Sequence, residues 1–263
     1  MKWHRINALL MRHIYLYKRS MPRIMDIFYW PIMELLLWGF LSMYLEKTSL
    51  AGFNAVTVLL GALILWDLLS QAHRTVSIAF LEEIWERNLL NIFVTPLKVS
   101  EFLVSTILLG FVRILLVTGV MAGIAALFYS FNLFTFGVYL LPFIANLLLF
   151  GWILGLFTIC IILRYGTSAQ VLAFGFLLLL QPFTAVFYPV TALPEMIQPF
   201  AYLFPSTYVF EGMRAVIATG TLPITTLIWA TFFNIIYLLL IVWLFLRMFA
   251  RVKQRGALMR LND

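Results

Sequence analysis

Residues 80–101 read FLEEIWERNLLNIFVTPLKVSE, and between the two ends of the chain charge is nowhere else so dense. Long apolar runs flank the stretch on both sides. Read as a helix over residues 81–93, it places Leu81, Ile84, Trp85, Leu89, Ile92 and Phe93 on one face and Glu82, Glu83, Glu86 and Arg87 on the other. At 1.5 Å per residue that helix is about 20 Å long, short of the roughly 30 Å hydrocarbon core of a bilayer. The pattern therefore predicts a helix lying along a surface, held there for contact with something else.

The chain has 263 residues, 63% of them hydrophobic and only 11% charged, too few to give so apolar a chain a charged shell in water. Its solvent is lipid. Six stretches are long and apolar enough to be read as crossings: 27–45, 55–77, 102–128, 139–163, 169–187 and 224–249. The predicted fold is all-α, an integral membrane protein of six transmembrane helices. Residues 1–23 form an interface helix, 24–249 the spanning domain and 250–263 a basic tail.

The net charge of +7 does not point to nucleic acid, because the cations gather at the two ends and in alternate loops. Lys2, Arg5, Arg12, Lys18, Arg19 and Arg23 precede the first span; Arg74, Arg87 and Lys98 fall within residues 74–101; Arg164 follows the fourth span, and the tail from Arg247 is basic. The other side carries only Lys47 and Arg214. The positive-inside rule then puts both termini in the cytoplasm, as six crossings require. The first apolar run has no small-residue cleavage site after it and is read as an uncleaved span.

Residues 3–19 repeat apolar positions at Trp3, Ile6, Leu10, Ile14 and Tyr17, with Arg5, Arg12 and Arg19 seven apart on another face. This is an interfacial helix, serving either as an anchor to anionic headgroups or as a lever on a cytoplasmic partner. Glu34, Asp67 and Arg113 fall inside spans, where an ionisable group is costly unless paired or facing water. Counted from neighbouring cytoplasmic ends, Asp67 and Arg113 reach similar depths of about 17 Å. Two readings stay open: a structural Asp67–Arg113 pair, or a lining for a path. The spacings Gly119-x-x-x-Gly123 and Gly151-x-x-x-Gly155 allow tight packing or dimerisation.

Residues 188–223 form a long apolar connection punctuated by Pro189, Pro194, Pro199 and Pro205. Short helices fit, one opening at Pro194 and another at Ser206, the second with Glu211 and Arg214 at i, i+3. Broken helices at membrane depth need protein or a cavity around them, so a re-entrant hairpin is predicted.

Enzymatic constellations are missing from the sequence. His4, His13 and His73 make no HExxH motif, Cys160 is a single cysteine, and there is no G-x-S-x-G elbow and no G-x-x-x-x-G-K-[ST] phosphate loop. Directed transport by this chain then needs an ion gradient or another polypeptide.

Three stretches together resemble the ABC-2 family of ATP-binding-cassette export permeases: the basic amphipathic helix, EEIWERNLLNIFVTPLKVSEFL, and FYPVTALPEMIQPFAYLFPSTYVFEGMR. The resemblance implies a bacterial plasma-membrane exporter subunit paired with a second copy or a paralogue, in contact with membrane lipid. Its cargo would be a drug-like amphiphile or a glycan-linked lipid. A separate cytoplasmic ATPase would carry the ATP and magnesium, so this chain would bind no cofactor of its own. It further implies a coupling helix at 81–95 contacting that ATPase through Glu82, Glu83, Glu86, Arg87 and Asn88. An outer gate would be built from Pro189, Pro194, Pro205, Tyr208, Glu211 and Arg214. Two rivals remain: a proton-coupled carrier working through Glu34, Asp67 and Arg113, and a non-transporting scaffold that recruits a cytoplasmic partner.

Overall fold

A computed structural model of the chain describes residues 1–48 and 55–254. The elements are helices throughout: α1 (Trp3–Arg19), α2 (Met21–Lys47), α3 (Ala55–Trp85), α4 (Leu89–Val94), α5 (Val99–Tyr129), α6 (Leu140–Tyr165), α7 (Val171–Leu180), α8 (Gln198–Ala201), α9 (Pro205–Thr219) and α10 (Ile224–Gln254). Short 3₁₀ turns occupy Leu133–Tyr139, Gly166–Gln170, Gln181–Phe183 and Val190–Ala192. Among the described residues there is no strand.

Among the described residues, five helices are long and apolar enough to cross a bilayer: those within α2, α3, α5, α10 and the run Leu133–Tyr165. The fifth expected crossing, 169–187, is shorter than anticipated. Its apolar helix, Ser168–Phe183, measures about 24 Å at 1.5 Å per residue. Pro182 explains the early end, since it lacks an N–H and its ring crowds the turn before it. The chain tightens there into the 3₁₀ turn Gln181–Phe183 and then bends through Ala185, whose φ is +50°.

The core is organised around α3 and α6, the two long helices that are mostly buried; α2, α5 and α10 surround them with largely exposed apolar faces. Gly151 and Gly155 let α3 and α6 approach closely. A Cβ at Gly151 would lie 2.6 Å from the Leu69 carbonyl oxygen, and one at Gly155 would lie 2.8 Å from Val76 Cβ. The other glycine pair, Gly119 and Gly123, has nothing within 4 Å of a Cβ among the described residues, so it packs against no described helix. The contrast shows that the same spacing serves a tight internal contact on α6 and faces open space on α5.

The helix expected over 81–93 is two helices. α3 continues to Trp85 and then stops in a Schellman arrangement: Arg87 N–H bonds the Ile84 carbonyl at 2.9 Å and Asn88 N–H bonds the Glu83 carbonyl at 2.9 Å. Arg87 takes the left-handed position, with φ +51°, where glycine is usual. α4 then starts in a new direction, and α5 begins after Pro96 and Lys98. The charged stretch is thus a bent hairpin tip between two long antiparallel helices.

Candidate functional site

The charged end is assembled by α1 folding along the start of α5 and the end of α3. Ile6 and Leu9 are buried, and beside them the backbone N–H of Lys2 bonds Glu101 Oε1 at 2.7 Å. Arg5 donates to the Pro96 carbonyl and lies 3.5 Å from Glu101. Arg12 grips Glu83 with both terminal nitrogens, the second at 3.1 Å, and reaches Glu86 at 3.2 Å. From the first turns of α2, Arg23 adds a 2.9 Å bond to Glu86 and approaches Glu82 at 3.9 Å. Arg19 is exposed on the last turn of α1.

These contacts revise the expected role of the carboxylates. Glu83 is only 2% exposed and is further bonded by Asn88 Nδ2 at 2.9 Å, with the buried His13 ring 3.7 Å away. It ties α1 to the bundle and does not face outward. Glu82 is half-buried. The outward residues of the tip include Glu86, Arg87, Asn91 and Val94, the last 83% exposed, and Trp85, expected on the apolar face, is exposed as well. Asn91 and Val94 were not singled out from the sequence, because a break at Arg87 re-aims everything after it. Between α1 and α4 runs a groove of about 460 Å³ lined by Arg5, Arg12, Asn88, Asn91, Ile92 and Pro96.

The intramembrane charges are arranged differently from expectation. Asp67 is buried and its ion pair is with Arg74, at 3.7 Å, while Gln71 Nε2 lies 3.5 Å from the same oxygen. Helix register explains this. Thr75 lies against Gly110, so that a Cβ on Gly110 would stand 2.1 Å from Thr75 Cγ2. Arg113, three residues beyond Gly110, is then level with about residue 72 of the antiparallel α3, and Asp67 lies about 7 Å farther along. Arg74, two turns away on the same helix, is better placed. Arg113 lines a small cavity together with Tyr17 of α1 and with Arg74 and Thr75 of α3. Glu34 is exposed on α2, and His73 Nε2 lies 3.0 Å from the Thr158 hydroxyl inside the α3–α6 contact.

At the far end, Glu211 and Arg214 do form the i, i+3 pair, at 3.0 Å. Their main contacts are to backbone. Glu211 accepts from Val190 N–H at 2.7 Å, and Arg214 donates to the carbonyls of Val186 at 3.1 Å and Ala185 at 2.8 Å. Burial pulls the Arg214 pKa below the usual arginine value, and the Glu211 carboxylate opposes that shift. Pro205 opens α9 at its first turn, Pro189 precedes the turn Val190–Ala192, and Pro194 starts the turn that leads into α8. Tyr208 stacks on Phe233 of α10 at a ring distance of 5.9 Å. The helix expected to open at Pro194 is reduced to α8, whose four residues are all that the prolines leave.

The family model described as ABC-2 type transporter matches residues 4–218, which take in α1 through nearly all of α9. No curated protein matches the chain significantly. An all-helical chain with several apolar membrane-length helices is what such a match requires, and the protein therefore belongs to the ABC-2 type transporter family.

Proposed function

We propose that the chain is the permease subunit of an exporter, moving an amphiphilic, drug-like or glycan-linked lipid substrate out of the cytoplasm while a separate subunit hydrolyses ATP. The family is one of transport subunits that are not themselves the ATPase, and the sequence has no phosphate loop. In this reading the charged end is cytoplasmic and α7 serves as a short fifth crossing. The segment from Pro189 through α9 forms re-entrant helices at the outer side, and a second copy or paralogue completes the path.

The observation that carries the reading is the tip itself. Glu86, Arg87, Asn91 and Val94 project from a bent hairpin mounted on two 31-residue helices, α3 and α5, that run the length of the bundle. A force applied at the tip is transmitted along rigid rods, because helices of this kind bend little without a proline or a bulge. ATP and its Mg²⁺ are bound by the partner.

The test reverses the exposed tip and spares Glu83. A triple variant Glu86→Lys, Arg87→Glu, Val94→Asp is expected to insert normally, lose co-purification with a co-expressed cognate ATPase and lose ATP-dependent export. Full ATPase binding and export in that variant would remove the tip from the docking surface. Transport that survives ATP depletion and collapses with a protonophore would favour the proton-coupled alternative.

A further inference from the structure

Behind the charged end, the elbow between α1 and α2 leans on α5 and encloses a crevice of about 420 Å³, within the range of small-ligand sites. Its walls are apolar: Ile14 from α1, Ile27 and Phe28 from α2, and Leu109, Val112 and Leu116 from α5. Ile14 and Val112 are 46% and 57% exposed, so the crevice opens on the surface of the bundle. Among the described side chains, the polar groups lining it are Tyr17 and Arg113. The same two residues line a second cavity of about 20 Å³, together with Arg74 and Thr75. That volume is enough for about one water molecule. Thr75 Oγ1 and Arg74 Nε are buried without a hydrogen-bond partner, as a water site would explain.

Depth and charge identify the occupant. α5 is about 46 Å long, some 16 Å more than a hydrocarbon core needs. Its far end carries exposed Leu127 and Phe128, which belong in lipid, so the excess lies at the charged end. Arg113, about 21 Å from Val99, then sits about 5 Å inside the hydrocarbon boundary, within the reach of a snorkelling arginine. Lys18 and Arg19 are exposed on the turn that follows Tyr17. The site is an apolar slot with a guanidinium inside and cations on the same elbow, at the level where phosphates of a leaflet begin.

We infer that the elbow crevice binds an anionic phospholipid of the cytoplasmic leaflet, one acyl chain between α1, α2 and α5 and the phosphate within reach of Arg113 and Lys18. The inference rests on the membrane orientation given under the proposed function. The bound lipid braces the elbow and thereby the helix that Arg12 ties to the tip. The small inner cavity supplies a water that links Arg74 to Thr75 behind the headgroup.

Native mass spectrometry of the full-length chain, titrated with phosphatidylglycerol or with phosphatidylcholine of the same chain length, tests this directly. One saturable phosphatidylglycerol adduct is expected, with at least about tenfold weaker retention of phosphatidylcholine, as for the loss of a charged hydrogen-bonded contact. Val112→Trp fills the exposed mouth and should abolish the adduct, and Leu116→Trp provides the same block one turn away should the first variant fail to fold. Arg113→Gln should keep an adduct but lose the preference for the anionic lipid. Equal retention of the two lipids by the unmodified chain, or an undiminished adduct in both tryptophan variants, would overturn the proposal. So would a different amphiphile co-purifying with the chain and lost in Val112→Trp, which would mark the crevice as a cargo site. ATPase co-purification is scored in parallel on the unmodified chain. A lipid adduct without ATPase binding would sink the permease reading alone, and ATPase binding without the adduct would sink the lipid site alone.

Discussion

The two ends of the bundle both hold charged side chains but use them differently. At the charged end, Arg12 and Arg23 reach across 63 to 74 residues of sequence to meet carboxylates at the end of α3, while Arg5 donates to the Pro96 carbonyl and lies 3.5 Å from Glu101. At the far end, Glu211 and Arg214 reach 21 to 29 residues back and meet main chain. A carboxylate bonded to a guanidinium on another helix can exchange that partner for one on another protein. A backbone carbonyl has no such freedom, because losing its donor leaves a polar group that the surroundings cannot satisfy. The exposed Glu86 layer of the first end is placed to rearrange, while the buried Glu83 there and the contacts of the second end each hold one shape.

The largest expected effect tests the inner part of the first end. Glu83→Lys places a cation among Arg12, His13 and Asn88 in a site that is nearly inaccessible to water. Removing one partner of a buried pair costs about 3–5 kcal/mol, and reversing it adds repulsion. α1 should detach locally, read as faster hydrogen exchange over residues 3–19, with residues 185–190 unaffected. Combining it with Arg12→Glu should restore part of the protection. Unchanged exchange in the single variant would mean that Glu83 does not hold α1.

A smaller effect is expected at the far end from Arg214→Leu. It removes two bonds to carbonyls and the partner of Glu211, at a cost of about 2–3 kcal/mol. Exchange should rise over residues 185–190 and leave α1 protected, the reverse of the first pattern. Arg214→Lys should rescue little, since one ammonium cannot reproduce a planar fork spanning two carbonyls and a carboxylate. A variant that loosens both ends equally would break the comparison.

The same comparison marks what could be read from sequence. The Glu211–Arg214 pair and the helix beginning at Pro205 were legible because both are local: i, i+3 spacing on one helix and a proline at its first turn. The amphipathic α1 and the charged tip were legible for the same reason. The role of Glu83 was not, because it depends on α1 folding back over a separation of 71 residues. Nor was the break at Arg87, since a non-glycine residue in the left-handed position leaves no mark in the composition. Asp67 found Arg74 because the contact of Thr75 with Gly110 sets the α3–α5 register, a tertiary quantity. The short α7 had a readable cause, Pro182, which counting apolar residues alone passes over.

The smallest effect separates the two layers of the charged end. Glu86 is 36% exposed at its side chain and its partners Arg12 and Arg23 are each 31% exposed, so water and salt reach this layer. Raising sodium chloride from about 0.1 to about 1 M shortens the Debye length from about 10 to about 3 Å. Exposed pairs of this kind contribute less than about 1 kcal/mol, so the expected change is a modest rise in hydrogen exchange near Arg23 and Glu86. Glu83 and the residues bonded to Glu211 and Arg214 should not respond, because burial shields them from ions. If a partner's side chains displace Arg12 and Arg23 from Glu86, the same salt step should weaken partner binding while leaving α1 attached through Glu83. Salt sensitivity confined to Glu86 and absent at Glu83 would show that one helix end holds both a fixed anchor and an exchangeable contact within a single turn.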